Sequence, residues 1–375
     1  MKTLFIFGTR PEAIKLTPLV KEIQKNNDDF ENRVCVTAQH RGMLDQVLDF
    51  FQIKPDYDLD IMKQGQSLID VTVNSLKGLQ KVLDDYSPDL LFVQGDTTTV
   101  LTGALAGFYY RIKVAHIEAG LRSGNIYSPF PEEVNRILAS HLSEYHFAPT
   151  ERAKKNLSNE GINKNVWVVG NTVIDALFMG LEIIKKHDKG LYVNHFDFID
   201  FSNRIILVTG HRRESFGKPF EEICYSLKEI AETNNNVEIV YPVHLNPNVR
   251  EPVNRILSGI EKIHLIEPLD YPHLIWLMNK SYFVLTDSGG IQEEAPSLGK
   301  PVLVMRDVTE RIEGIDAGTA LLVGTEKQKI VNESLKLLNN KKAYDSMAKA
   351  INPYGDGTSS KKIVQIINKT QHLLH

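Results

Sequence analysis

The chain is predicted to be α/β, with two Rossmann-like, doubly wound parallel-sheet domains. Three observations predict this. A length of 375 residues exceeds what one ordinary core holds. Short apolar, β-branched runs alternate with longer stretches of helical period along most of the chain. These runs are continuously apolar rather than alternating, as strands covered on both faces are. An irregular segment, DKGLYVNHFDFIDFSN (188–203), divides them into two sets.

The first set of strand candidates is TLFIFG (3–8), RVCVTA (33–38), LLFVQGD (90–96), KVAHIEAG (113–120), YHFAPT (145–150) and VWVVG (166–170). The second is RIILVTG (204–210), VEIVYPVH (237–244), KIHLIEP (262–268), YFVLTD (282–287), PVLVM (301–305) and ALLVGT (320–325). Helical periodicity fills the gaps, as in SLIDVTVNSLKGLQKVL (67–83) and FEEICYSLKEIAE (220–232). In such sheets ligands bind beyond the carboxyl ends of the strands, so residues just after strands are the informative ones.

Composition narrows the class. Apolar content of 42% and charged content of 24% are those of a globular protein. A net charge of −4 gives no basic footprint for nucleic acid. The opening MKTLFIFGTRPE has too short an apolar run for a signal peptide, and no run approaches a membrane span. Cys35 and Cys224 sit in apolar patterns and read as buried free thiols in a reducing compartment. No Cys or His spacing fits zinc, and DYDLD (56–60) after Pro55 reads as a solvated acidic turn.

After the first strand, FGTRPEAIK sets Gly8 at the turn, Pro11 in the first helical turn, and Arg10 and Lys15 as cations beside a helix N-terminus. An ordinary βα turn fits the same residues. The dinucleotide pattern G-x-G-x-x-G is missing after this strand, and no Walker A sequence occurs. Asp96 ends a strand and could be the N-cap of the next helix. Glu118 ends an apolar strand, where an unpaired carboxylate is costly. Glu132 and Glu133 open a helix, and the spacing Glu132–Arg136 predicts an i,i+4 ion pair. His211, Arg212 and Arg213 follow a strand, where cations meet phosphate. In DSGGIQEEAPSLGKPVL (287–303), Ser288, Gly289 and Gly290 expose backbone at the mouth of a helix that carries Glu293 and Glu294. The glycines suit a phosphate and the carboxylates do not.

FGTRPEAIK, TAQHRGMLDQVL, GDTTT, HIEAGLRS, YSPFPEEVNR, VGNTVIDAL, TGHRRESFG, YPVHLNPNVREPVNRIL, LTDSGGIQEEAPSLGKPVLVMRDVTER and NPYGDG occur in that order. Together they resemble the bacterial non-hydrolysing UDP-N-acetylglucosamine 2-epimerases over essentially the full length. The resemblance implies a GT-B-type fold with the active site in a cleft between the two domains. The first would comprise 1–170 with a returning C-terminal helix, 355–375, and the second 171–354. It implies a cytoplasmic homodimer that handles UDP-N-acetylglucosamine, UDP-N-acetylmannosamine and UDP without NAD or metal. By residue-wise carry-over, Ser288, Gly289 and Gly290 meet the diphosphate, and Glu294 takes the ribose hydroxyls. Arg10 and His211 add positive charge or donors near the phosphates, Lys15 and Arg311 match positions in or near the site, and Asp96, Glu118 and Glu132 fit the acid–base work, with Arg136 orienting Glu132.

Inverting carbon 2 of an N-acetyl sugar breaks a C–H bond with no neighbouring carbonyl. Oxidation at carbon 3 would need a nicotinamide, for which the chain has no fingerprint. Elimination of UDP across carbons 1 and 2 gives 2-acetamidoglucal and needs acid–base groups and a held diphosphate. A GT-B glycosyltransferase, a hydrolysing epimerase and a nucleotide-sugar sensor without turnover are the other readings. An activator subsite known from relatives is expected to be weak here. Gly42 and Gly65 stand where a glutamine and an arginine of that subsite would be, although Gln39 and Gln66 remain.

Overall fold

The computed structural model describes residues 1–26, 28–38, 41–62, 65–188 and 190–372. The chain forms two compact units, Met1–Met179 with Tyr354–His375, and Gly180–Pro353. The division falls inside the helix Thr172–His187, beyond the expected limit at 170.

Among the described residues, unit 1 holds a seven-stranded parallel sheet. Its strands are β1 (Lys2–Phe7), β2 (Glu31–Val36), β3 (Tyr57–Asp58), β4 (Leu90–Gln94), β5 (Lys113–Ile117), β6 (Tyr145–Ala148) and β7 (Val166–Val168), in the spatial order 3-2-1-4-5-6-7. Unit 2 holds six parallel strands: β8 (Arg204–Thr209), β9 (Val237–Pro242), β10 (Ile263–Ile266), β11 (Phe283–Thr286), β12 (Val302–Val304) and β13 (Ala320–Leu322), ordered 10-9-8-11-12-13. DYDLD departs from its expected turn, because Tyr57 and Asp58 pair with Cys35 and Val36 to make the edge strand β3.

The strand order reverses between β1 and β4 in unit 1 and between β8 and β11 in unit 2. Helices on opposite faces diverge at such a point and open a crevice beyond the strand ends. The chain emerges there at Gly8–Lys15, Gly95–Thr97, Gly210–Arg213 and Asp287–Gly290, which are the segments that carry the motifs.

Each sheet is buried on both faces. In unit 1, Leu4, Ile6, Leu91 and Val93 pack with Leu79, Val82, Leu83, Val100 and Ala104 from the helices Leu68–Tyr86 and Thr98–Tyr110. Phe5 and Phe92 point the other way and stack at 4.6 Å. In unit 2, Ile206, Val208, Ile239 and Leu285 pack on Phe220, Ile223, Cys224 and Leu227 of the helix Lys218–Thr233. Both cysteines are buried and free.

Local signals set the helix starts. Glu12 reaches back to accept from the N–H groups of Gly8 (2.9 Å) and Thr9 (2.7 Å), which fixes the turn out of β1. Gly8 is required by close approach, since a Cβ there would lie 1.9 Å from Thr37 Oγ1 and 2.8 Å from Thr99 Oγ1. Ser67 and Asp70 form a capping box at the helix Leu68–Tyr86. The last helix, Ser359–His372, belongs to unit 1. The buried carboxylate of Asp175 accepts from Ser359 N (3.2 Å) and Ser360 N (2.8 Å), and Ile363, Val364 and Ile367 are buried.

Candidate active site

In unit 1, Glu118 stands one residue past β5 with φ +64°, in the left-handed region that a side chain rarely adopts, and is buried. Lys15 Nζ meets both of its oxygens, at 2.7 and 2.6 Å. Gln94, the last residue of β4, donates to Oε2, and Asn171, just before the helix Thr172–His187, donates to Oε1 at 3.0 Å. Carboxylate and ammonium are both largely removed from water, so the pair holds only because further donors satisfy the remaining lone pairs.

Asp96 is not the N-cap of the next helix. Thr97 takes that position, its hydroxyl accepting from Val100 N. Its other bond, donated to Glu12 Oε1 at 2.5 Å, ties the turns after β1 and β4 together. The Asp96 carboxylate is thereby left to the Arg136 guanidinium, which donates to it through Nη2.

The expected Glu132–Arg136 pair is replaced by a different arrangement. Arg136 Nη1 donates to Glu133 Oε2 at 3.0 Å, one position nearer on the helix Glu132–Leu142. Glu133 is buried and also accepts from the N–H groups of Ser123 and Gly124, each at 3.0 Å. Arg136 therefore bridges Asp96 and Glu133. Glu132, the first residue of this helix, is half-buried, and its Oε2 is buried with no hydrogen-bond partner among the described residues.

Burial pushes the Glu12 carboxyl up, against the bonds from Thr97, Gly8 and Thr9. His116 on β5 is fully buried and donates from Nε2 to Gly95 O, 2.7 Å away. Burial takes it down to about 4, and takes His146 on β6, its register partner, to about 4 as well.

In unit 2, Asp287 follows β11 and is buried. Its Oδ2 accepts from His211 N and Arg212 N, both at 2.7 Å, and its Oδ1 lies 3.7 Å from His211 Nδ1. His211 stacks on His244 with ring centroids 5.1 Å apart. Burial lowers its pKa, partly countered by Asp287, which keeps the imidazole neutral near pH 7. Ser288 donates its N–H to Thr286 Oγ1 at 2.9 Å, so its hydroxyl, rather than its N–H, is the group it can offer a ligand. Gly289 and Gly290 begin a one-and-a-half-turn helix, Gly289–Glu294, whose first-turn N–H groups lack helical partners. The Arg311 guanidinium packs over Gly289, where an added Cβ would meet Cζ at 3.1 Å.

The two adjacent carboxylates on this helix have separate partners. Arg311 Nε donates to Glu293 at 2.9 Å, and Tyr271 OH donates to Glu294 at 3.0 Å. Arg306, also buried, bridges Glu214 (2.6 Å) and Glu310 (3.0 Å). Although burial opposes it, these contacts hold the Glu310 carboxyl at about 2.

Sequence reasoning passed over Gln94, Asn171, Asp287, Tyr271 and Arg306. Only Asp287 carried a local signal, a carboxylate at the end of an apolar strand. Gly42 and Gly65 have open space where a Cβ would stand, and Gly65 has φ +72°. Gln39 lies outside the described residues. Among the described residues no group of three or more His, Cys, Asp or Glu could hold a metal ion, and no helix is long and apolar enough to cross a membrane.

Residues 21–368 match the family described as UDP-N-acetylglucosamine 2-epimerase. The chain is 57% identical over 374 residues to the UDP-N-acetylglucosamine 2-epimerase of Yersinia pestis, covering 99% of both chains. It superposes with a TM-score of 0.91 on the crystal structure of UDP-GlcNAc 2-epimerase from Neisseria meningitidis bound to UDP-GlcNAc. That protein is 52% identical, and the match covers 98% of this chain and 100% of that one. A putative UDP-N-acetylglucosamine 2-epimerase from Listeria monocytogenes gives 0.92 at 48% identity, over 99% and 96% of the two chains. Two Rossmann-like domains of the GT-B type, with the motifs at both strand-order reversals and this identity along the whole length, make the chain a member of the UDP-N-acetylglucosamine 2-epimerase family.

Proposed function

We propose that this chain interconverts UDP-N-acetylglucosamine and UDP-N-acetylmannosamine without hydrolysing them, by eliminating and re-adding UDP. The observation that carries the reading is the 57% identity to a named epimerase across 99% of the chain. The reacting hydrogen on carbon 2 leaves as a proton, the C1–O bond to the diphosphate breaks with its electron pair, and a C1–C2 double bond forms 2-acetamidoglucal. UDP then re-adds at carbon 1 while carbon 2 takes a proton on the opposite face.

Unit 1, with the returning helix, supplies the acid–base groups, and unit 2 holds UDP. Glu132 is the leading proton carrier, supported by its unpartnered buried oxygen. Asp96, anchored by Arg136, and Glu118, anchored by Lys15, are the other two carboxylates. The Ser288 hydroxyl and the N–H groups of Gly289 and Gly290 meet the diphosphate, with Arg311, Arg10 and His211 adding positive charge or donors. Departing negative charge is stabilised best by such fixed donors, which need no reorganisation. Glu294 accepts from the ribose hydroxyls. No NAD and no metal enter the reaction.

A cytoplasmic homodimer serving surface-polysaccharide synthesis completes the reading. Exposed Ile69, Val73, Phe108 and Tyr109 on two neighbouring helices of unit 1 support self-association.

The test is NMR of products from UDP-N-acetylglucosamine alone in deuterated water, with no NAD or metal added. Deuterium at carbon 2 of both nucleotide sugars is expected. Epimer without solvent label overturns the elimination route. Free N-acetylmannosamine with UDP would assign the hydrolysing reaction, and no turnover would leave a transferase or a sensor.

A further inference from the structure

Glu118 is a densely coordinated carboxylate whose donors are side chains throughout. Among the described residues its two oxygens take four hydrogen bonds: two from Lys15, one from Gln94 and one from Asn171. An ionised carboxylate has about four lone-pair sites, so these donors fill it. None of the three can accept a hydrogen bond through the group it presents. A proton on Glu118 would therefore point at another hydrogen. Its backbone, at φ +64°, holds the side chain in a conformation that persists only where the surroundings over-determine it. The donors come from three separated parts of the fold, Lys15 from the helix Arg10–Gln24, Gln94 from β4 and Asn171 from the turn after β7, and meet Glu118 past β5. Among the described residues, His116, two residues back on its own strand, also interacts with it, and burial keeps that imidazole neutral.

Resting on the epimerase reading above, we propose that Gln94 and Asn171 are positioning residues that, with Lys15, lock Glu118 as a permanent anion, a fixed negative charge rather than a carrier of the carbon 2 proton. In that state Glu118 holds the Lys15 ammonium in one place and adds a constant field to the reacting sugar. Glu132, whose Oε2 has no partner among the described residues, differs from it in the one respect that proton transfer requires.

The amide of Asn171 also caps its own helix, its Oδ1 accepting from Val173 N at 3.1 Å. Asn171→Asp keeps that acceptor and the side-chain shape, but replaces the donor to Glu118 with a like charge. Gln94→Met deletes one donor at similar length and adds no new titrating group. The experiment measures solvent-deuterium incorporation at carbon 2 from pH 5 to 9 in wild type and both variants, beside their thermal unfolding.

Losing a donor to the charged form raises the pKa of a carboxyl, and a like charge raises it further. Each folded variant is expected to lose exchange on the acid side at a pH about one unit or more above wild type. Asn171→Asp should shift further than Gln94→Met. Where Asp at 171 prevents folding, Gln94→Met carries the same test. Variant profiles that scale down in parallel with wild type, with no shift of the acid limb, would mean a merely structural role and overturn the proposal. A wild-type protein that forms no epimer and exchanges no proton would instead overturn the reading on which it rests.

Discussion

Replacing Glu132 by Gln should separate catalysis from stability by a wide margin. Had Glu132 paired with Arg136, its loss would leave a nearly buried guanidinium unsatisfied, which typically costs about 3–5 kcal/mol. Arg136 instead bonds Glu133 and Asp96, so Glu132→Gln strands no cation. The remaining stability term is the first-turn dipole interaction, about 0.3–1 kcal/mol. The kinetic term is larger. Removing a general acid–base typically costs about 10²–10⁴ in rate. At about 1.4 kcal/mol per factor of ten, this raises the barrier by roughly 3–5 kcal/mol. The variant should thus unfold within about 1 kcal/mol of wild type and bind UDP normally. Its solvent-deuterium incorporation at carbon 2 should fall by at least about a hundredfold. Urea unfolding, UDP calorimetry and NMR exchange on one preparation supply the three readings. Exchange at a near-normal rate would falsify the assignment and transfer the proton to Asp96. Arg136→Ala is the contrasting control, because it strands the buried Glu133 and must lose stability as well as rate.

Other outcomes follow from the same geometry. Glu294→Ala removes a buried carboxylate from beside Gly290 and should weaken UDP binding by about 1.5–3 kcal/mol, roughly tenfold or more, by calorimetry on a variant whose unfolding is checked. Unchanged affinity would remove it from the ribose. Initial rates against UDP-N-acetylglucosamine should be close to hyperbolic, and the reverse reaction should start without added UDP-N-acetylglucosamine, because Gly42 and Gly65 leave open space instead of side chains. A lag or marked sigmoidality would reveal an activator subsite built from other residues. His116 is held at about 4, below its ordinary 6.5, so the unfolded chain binds its proton first. Stability from this group is complete above pH 6.5 and drains away as pH falls towards 4. Glu12 and Asp175, raised by burial, slope the opposite way, so the readout is a comparison of variants. In His116→Gln, the pH dependence of urea stability between pH 6.5 and 4 should flatten by up to about 1.4 kcal/mol per pH unit. An unchanged slope would show that this imidazole does not govern the window.

The class of fold and the places where chemistry gathers were legible in the linear chain. Continuous apolar runs such as LLFVQ and IILVT require cover on both faces, which parallel strands between helices provide. Turn residues after those runs, at Gly8, Gly95, Gly210 and Gly289, pointed to the strand ends. The edge strand β3 escaped, because two residues in an acidic stretch carry no period and acquire strand geometry only from β2 alongside. Partnership within the site was decided by the tertiary structure alone. Spacing on a helix says which side chains share a face, so Glu132 and Arg136 looked like a pair. It does not say what the neighbouring strand end presents, and β4 presents Asp96 to Arg136 from 40 positions away. The clamp on Glu118 draws on positions 15, 94 and 171, which no local window contains. Their meeting depends on the order 3-2-1-4-5-6-7, set by how each crossover packs on the sheet. A linear sequence holds the groups that will form a site, and strand order settles which of them come within hydrogen-bond reach.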